Sequence, residues 1–116
     1  MNKEIFAIMS LLAVDGEKIP VSWLKYKGSL KKYVVFSDMG EAPESHSDDE
    51  CEYSVKQFDF DIYSDGNYLN ILKEVKQRLK INGWTWVEDS PTMYEEDTRL
   101  YHITTTWKKE KYIKGE

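Results

Sequence analysis

The chain has 116 residues, of which 41% are hydrophobic, 14% aromatic and 32% charged, and a formal net charge of −5. That length suits one domain with one core, and the balance of apolar and charged residues excludes an intrinsically disordered chain. A single cysteine, Cys51, excludes an intramolecular disulfide framework and fits a reducing compartment, and no apolar run approaches the roughly 18 residues of a membrane span.

Residues 1–116 read as a single domain, and its elements follow in order. Ile5, Phe6, Ile8, Met9 and Leu12 recur at helical spacing and predict a helix over about residues 3–14, with Asp15-Gly16 as its stop. The acidic residues on both sides of this stretch set it apart from an export signal. Pro20 bars a continuing helix. Val21 to Tyr26 then reads as a strand, and Tyr33 to Phe36 as a second one, joined as a hairpin through a longer loop at Lys27-Gly28-Ser29.

From about 38 to 52 there is no periodicity, only turn residues and acids, which predicts a flexible acidic loop. Glu41 to Glu52 holds six acids and no Lys or Arg, so without it a charge of −5 becomes +1. The remaining body is nearly neutral, and a broad basic nucleic-acid surface is not expected. Phe58, Phe60 and Ile62 alternate with Asp59, Asp61 and Tyr63, the pattern of a strand buried on one face. Ser64-Asp-Gly-Asn67 supplies turn and cap residues.

Tyr68, Ile71, Leu72, Val75 and Leu79 form the apolar stripe of a second helix, with Glu74 and Arg78 an i,i+4 pair and Asn82-Gly83 its stop. Trp84 to Glu88 and Leu100 to Trp107 read as strands separated by a break at Asp89-Ser-Pro91. The polar tail over about 108–116 is expected to fray. The order α-β-β-β-α-β-β predicts an α+β fold, two helices packed on one face of a four- to five-stranded, mostly antiparallel sheet.

Candidate chemistry is sparse. His46 with Cys51 could be nucleophilic or bind a metal, but both lie in the acidic loop, where negative charge raises a thiol pKa. They read as solvated loop. Asp59 and Asp61 share a strand face about 7 Å apart, a spacing usable for metal or acid–base work, though the wet face of an ordinary strand looks the same. His102 follows Glu95-Glu96-Asp97 and shares a face with Thr104 and Thr106, read as exposed or at an interface. No catalytic, cofactor-binding or metal-ligating residue is assigned. Aromatic rings at Trp84, Trp86 and Trp107 are compatible either with an exposed partner surface or with burial under loops.

Three segments carry a resemblance. They are Val14-Asp-Gly-Glu-Lys-Ile-Pro-Val-Ser-Trp-Leu-Lys-Tyr-Lys-Gly28, Phe58-Asp-Phe-Asp-Ile-Tyr-Ser-Asp-Gly-Asn-Tyr68 with its continuation through Ile71 to Trp84, and Met93-Tyr-Glu-Glu-Asp-Thr-Arg-Leu-Tyr-His102. Together, over roughly residues 1–112, the chain resembles the small tail-completion, or tail-terminator, proteins of long-tailed phages and Gram-positive prophages. The resemblance implies a structural protein that is not an enzyme, has no cofactor, and assembles as a ring, a hexamer, on the tail tube. Its partners would be itself, the tail-tube protein and the head–tail connector, with no membrane and no direct nucleic-acid binding. It would occupy the bacterial cytoplasm during assembly and the virion tail afterwards.

Within such a ring the expected interface residues are Asp48, Asp49 and Glu50 of the acidic loop and Tyr94, Glu95, Glu96 and Asp97. Two alternatives stay open: a small metal-dependent hydrolase using Asp59 and Asp61, and a regulatory binding module of a mobile element.

Overall fold

The computed structural model describes residues 2–43 and 53–112. Its elements are α1 (Asn2–Ile8), β1 (Ala13–Val14), β2 (Glu17–Lys18), β3 (Val21–Trp23), β4 (Tyr33–Pro43), β5 (Tyr53–Ser64), α2 (Tyr68–Ile81), β6 (Thr85–Asp89), β7 (Met93–Glu95) and β8 (Leu100–Tyr112). The main sheet has six strands in the order β3-β4-β5-β8-β6, with β7 also paired to β8, and β1-β2 form a separate ribbon. The fold is α+β and mostly antiparallel, as expected. The strand count is higher than the expected four to five, because the three-residue β7 and the two-residue ribbon strands are too short to show a period.

One face of the sheet carries both helices. Val34, Phe36, Phe58, Phe60, Ile62, Ile103 and Trp107 form a single cluster with Ile5, Met9 and Leu12 from the α1 region and Ile71, Leu72, Val75 and Leu79 from α2. On β4 and β5, Val34, Phe36, Phe58, Phe60 and Ile62 are all fully buried. Burying a ring or a branched aliphatic side chain contributes about 1.5–3 kcal/mol, so this alternating row on β4 and β5 is a principal source of stability. Asn67 caps α2, its Oδ1 accepting from Asn70 N at 3.3 Å. Glu74 Oε2 pairs with Arg78 Nε at 3.0 Å, the expected i,i+4 contact.

Four local expectations are corrected. The first helix ends at Ile8, not near residue 14: Ser10 N bonds Ala7 O and Leu12 N bonds Met9 O in tight turns, Leu11 takes a left-handed φ of 56°, and Arg78 Nη1 donates to the freed carbonyls of Ile8 and Ser10. Asp15 and Gly16 have φ of 54° and 80°, the pair of left-handed conformations that makes a tight hairpin turn. They join β1 to β2 rather than merely stopping a helix. Second, β3 and β4 pair in parallel, Val21 opposite Val34 and Trp23 opposite Phe36, and are not a hairpin. Leu24, with φ of 70°, turns the chain so that residues 24–32 return it to the starting end.

Third, residues 38–43 continue β4 instead of opening the acidic loop, with a register shift between Asp38 and Glu41 opposite β5. Gly40 sits in that bulge at φ 102°, a conformation that costs glycine little. Fourth, the tail does not fray at 108. Ser54, Val55 and Lys56 of β5 pair with Lys111, Glu110 and Lys109 of β8, so the strand runs to Tyr112. The remainder of the expected loop, with His46, Asp48, Asp49, Glu50 and Cys51, lies outside the described residues.

Candidate interaction surface

The sheet face opposite the helices is polar but not fully wet. Register places Tyr33, Tyr63 and His102 in one row, Val35, Asp61 and Thr104 in the next, and Ser37, Asp59 and Thr106 in a third. In the first row the rings stack: Tyr26 on Tyr33 at 4.2 Å, Tyr33 on Tyr63 at 4.8 Å, and Tyr63 on His102 at 4.2 Å between centroids. Burial, aided by the nearby Asp61 carboxylate, pushes the Tyr63 hydroxyl up to about 12.

His102 is half-buried and tied into this face, which corrects its reading as exposed. Its Nε2 lies 3.0 Å from Asp61 Oδ1, and its Nδ1 is buried 3.4 Å from Glu95 Oε2, in ion-pair range but outside hydrogen-bond geometry. The hydrogen bond to Asp61 raises the imidazole pKa above its ordinary value, outweighing the opposing effect of burial. For Asp61 burial acts upward, but hydrogen bonds from His102 and Thr104 outweigh it and hold the carboxyl below the usual range. Asp59 accepts from Thr106 Oγ1 at 2.7 Å. The two aspartates thus each anchor to a threonine on β8. Among the described residues no three His, Cys, Asp or Glu side chains converge to hold a metal.

Of the residues expected at an interface, Tyr94 and Glu95 lie on β7, and Glu96 and Asp97 are exposed in the turn to β8. Tyr94, 48% exposed, lies against Tyr101 at 5.1 Å, and Tyr101 against Tyr68 at the start of α2 at 5.5 Å. Glu95 is held from both sides: Thr98 Oγ1 donates to its Oε1 at 3.2 Å, and Arg99 N to its carbonyl at 2.7 Å. The structure therefore brings Glu95 against His102, packs Tyr94 on Tyr101 at the opposite sheet face, and leaves Glu96 and Asp97 facing solvent.

A second surface lies on the helix side, between α2 and β6. A groove of about 630 Å³ is lined by Lys73, Lys76, Lys80, Trp84, Trp86 and Trp107, among others. Trp84 and Trp107 are buried, whereas Trp86 is 51% exposed, so the tryptophans divide between core and surface. Lys76 Nζ contacts Asp89 Oδ2 at 2.5 Å and lies 5.0 Å from the Trp86 ring centre. Trp86 Nε1 donates to Asp89 Oδ1 at 2.9 Å. Burial pushes the Asp89 carboxyl up, but the bonds from Lys76, Thr105 and Trp86 prevail and lower it. Helical spacing of Lys73, Lys76 and Lys80 marks one side of this groove in the sequence; its other side needs the β6–β8 pairing, which no local pattern reveals.

No family model matches this sequence, and no curated protein sequence matches it. The fold does have a solved counterpart. The chain is similar to one chain of the virion of a native gene transfer agent particle, with a TM-score of 0.53, 14% identity, and coverage of 94% of this chain and 84% of that one. At that identity the likeness is one of fold. It extends over nearly the whole chain.

Proposed function

We propose that this chain is a structural protein of a phage or prophage that caps the tail tube and helps join the tail to the head. The observation that carries the reading is the fold likeness to a virion chain over 94% of the length, and the resemblance of three sequence segments to tail-completion proteins points the same way. In this reading the chain assembles and catalyses nothing. It forms a ring, a hexamer, through contacts with itself, and meets the tail-tube protein on one side and the head–tail connector on the other. It is made in the bacterial cytoplasm and retained in the virion.

A closed ring of identical subunits needs two different patches per subunit, one meeting the other head to tail. The Tyr94 to Asp97 turn and the acidic segment with Asp48, Asp49 and Glu50 are both acidic, so they do not meet each other; each faces a different surface of a ring neighbour or of an axial partner. The test is electron microscopy of particles assembled without this chain. Tails of uncontrolled length and heads without tails are expected; normal particles would overturn the proposal. Complementation with Asp48→Asn, Asp49→Asn and Glu50→Gln together should reproduce part of the defect if the acidic segment takes part.

A further inference from the structure

The α2–β6 groove combines an apolar floor with unspent positive charge. Lys76 is engaged by Asp89, but Lys73 and Lys80 are exposed and make no ion pair among the described residues. Trp86 leaves half its surface open beside them, and Trp84, only 3% exposed, keeps an Nε1 that has no hydrogen-bond partner. An anionic chain with some apolar character fits such a site: carboxylates meet the lysine rim and side-chain carbon covers the rings. Lysine with tryptophan also suits single-stranded nucleic acid, but two free lysines on a chain of net charge −5 are a poor phosphate-binding surface.

This chain carries the complement itself. Glu44 to Glu52 contains five acids and no Lys or Arg, and it is tethered at Pro43 on β4 and Tyr53 on β5. Within one molecule the tether lies near Trp84, where Lys109 opposite Lys56 approaches the ring, but it is distant from the Trp86 end of the groove. Its Trp107 floor is opposite Phe58, five residues along β5 from Tyr53, and β6 is two strands across, about 17 Å along and 10 Å sideways. The backbone at the middle of a segment held at both ends by five residues extends about 17 Å at most, against the roughly 20 Å these distances combine to, so a neighbour's segment meets the Trp86 end of the groove with less extension than the chain's own.

We propose that the groove receives the acidic segment Glu44–Glu52 of a second copy of this chain. The contact is heterologous, segment of one copy into groove of the next, so it propagates head to tail and closes if the rotation per copy allows. It deepens the ring reading above by naming a contact between neighbours, but requires only self-association and no tail tube.

Sedimentation of the full chain over a concentration series tests it. The wild type should self-associate, and more weakly as salt rises. One variant carries Lys73→Glu with Lys80→Glu; another carries Asp48→Lys, Asp49→Lys and Glu50→Lys. Each alone should associate at least roughly tenfold more weakly, and the two mixed should form a complex, because the basic segment of one now meets the acidic groove of the other. Trp86→Ala, at an exposed position, should weaken association without unfolding the chain.

A wild type that stays monomeric throughout, or variants that associate as the wild type does, overturns the proposal. So does a mixture that fails to associate while both variants remain folded by circular dichroism. Retention of a single-stranded oligonucleotide that is lost with Lys73→Glu and Lys80→Glu, with self-association unchanged, assigns the groove to nucleic acid instead. Charge-swapped association that survives while particles lacking the chain prove normal would overturn the tail role and leave this contact standing.

Discussion

At the scale of single residues, the polar groups inside this domain are the most exacting. Thr105 is fully buried on the helix-facing side of β8, where its Oγ1 accepts from Trp107 Nε1 at 2.8 Å. Valine has nearly the same shape but no acceptor, so Thr105→Val leaves a buried indole N–H unpaired. The expected loss is about 1–3 kcal/mol in urea unfolding, and Thr105→Ser, which keeps the oxygen, should cost less.

His102 gives a pH prediction of definite sign. Its folded pKa is raised, so its pairing with Asp61 adds stability that is complete below the ordinary histidine value of about 6.5 and is lost as pH rises through the folded pKa. The lowered pKa of Asp61 adds stability present above its ordinary value near 4 and lost as pH falls through the folded one. His102→Gln should therefore cost more stability at about pH 5.5 than at about pH 8.5. Equal losses at both, measured by urea melts, would show that the imidazole charge contributes nothing.

At the scale of elements, short backbone devices decide where the chain turns. The β1-β2 hairpin rests on Asp15 and Gly16 in left-handed conformation, and Asp15 Oδ2 fastens it to α2 by accepting from Asn70 Nδ2 at 2.9 Å. Nothing crowds the position of a Cβ on Gly16, so the cost of Gly16→Ala is conformational. A loss of roughly 1 kcal/mol is expected, measurable as a lower melting temperature with the same far-ultraviolet spectrum.

What could be read in the sequence follows the same division. The α2 stripe and the Phe58-Phe60-Ile62 alternation are long, periodic and self-consistent, so both elements and their buried faces are legible. The α1 boundary is not, because the left-handed turn falls on Leu11, a residue with no turn signal, and the carbonyls it frees are satisfied by Arg78, distant in sequence. The parallel β3-β4 pairing is equally hidden, since an apolar run does not reveal the direction of its partner. The candidate site shows the same limit: Asp59, Asp61 and His102 each stand out locally, yet only the β5–β8 register joins Asp61 to His102 and ties Asp59 to Thr106.

At the scale of the whole molecule, β5 and β8 form a long central ladder that extends past the helices. Twelve residue pairs join them, from Tyr53 opposite Tyr112 to Ser64 opposite Tyr101. The core under the helices centres on Phe58 to Ile62; beyond it Glu41 to Pro43 of β4 still flank β5, and Lys109 Nζ pairs with Glu4 Oε2 of α1 at 2.7 Å. Lys109 also lies 5.7 Å from the ring centre of Trp84, so this polar strand end touches both α1 and the groove floor. A chain ending at Lys108 loses the pairs made by Lys109 to Tyr112 and both Lys109 contacts. It should be less stable by at least about 1 kcal/mol. The loss should also appear as faster amide exchange at β5 residues 53–56, with residues 60–63 keeping their protection. Unchanged exchange along all of β5 would mean that the outer ladder contributes no stability.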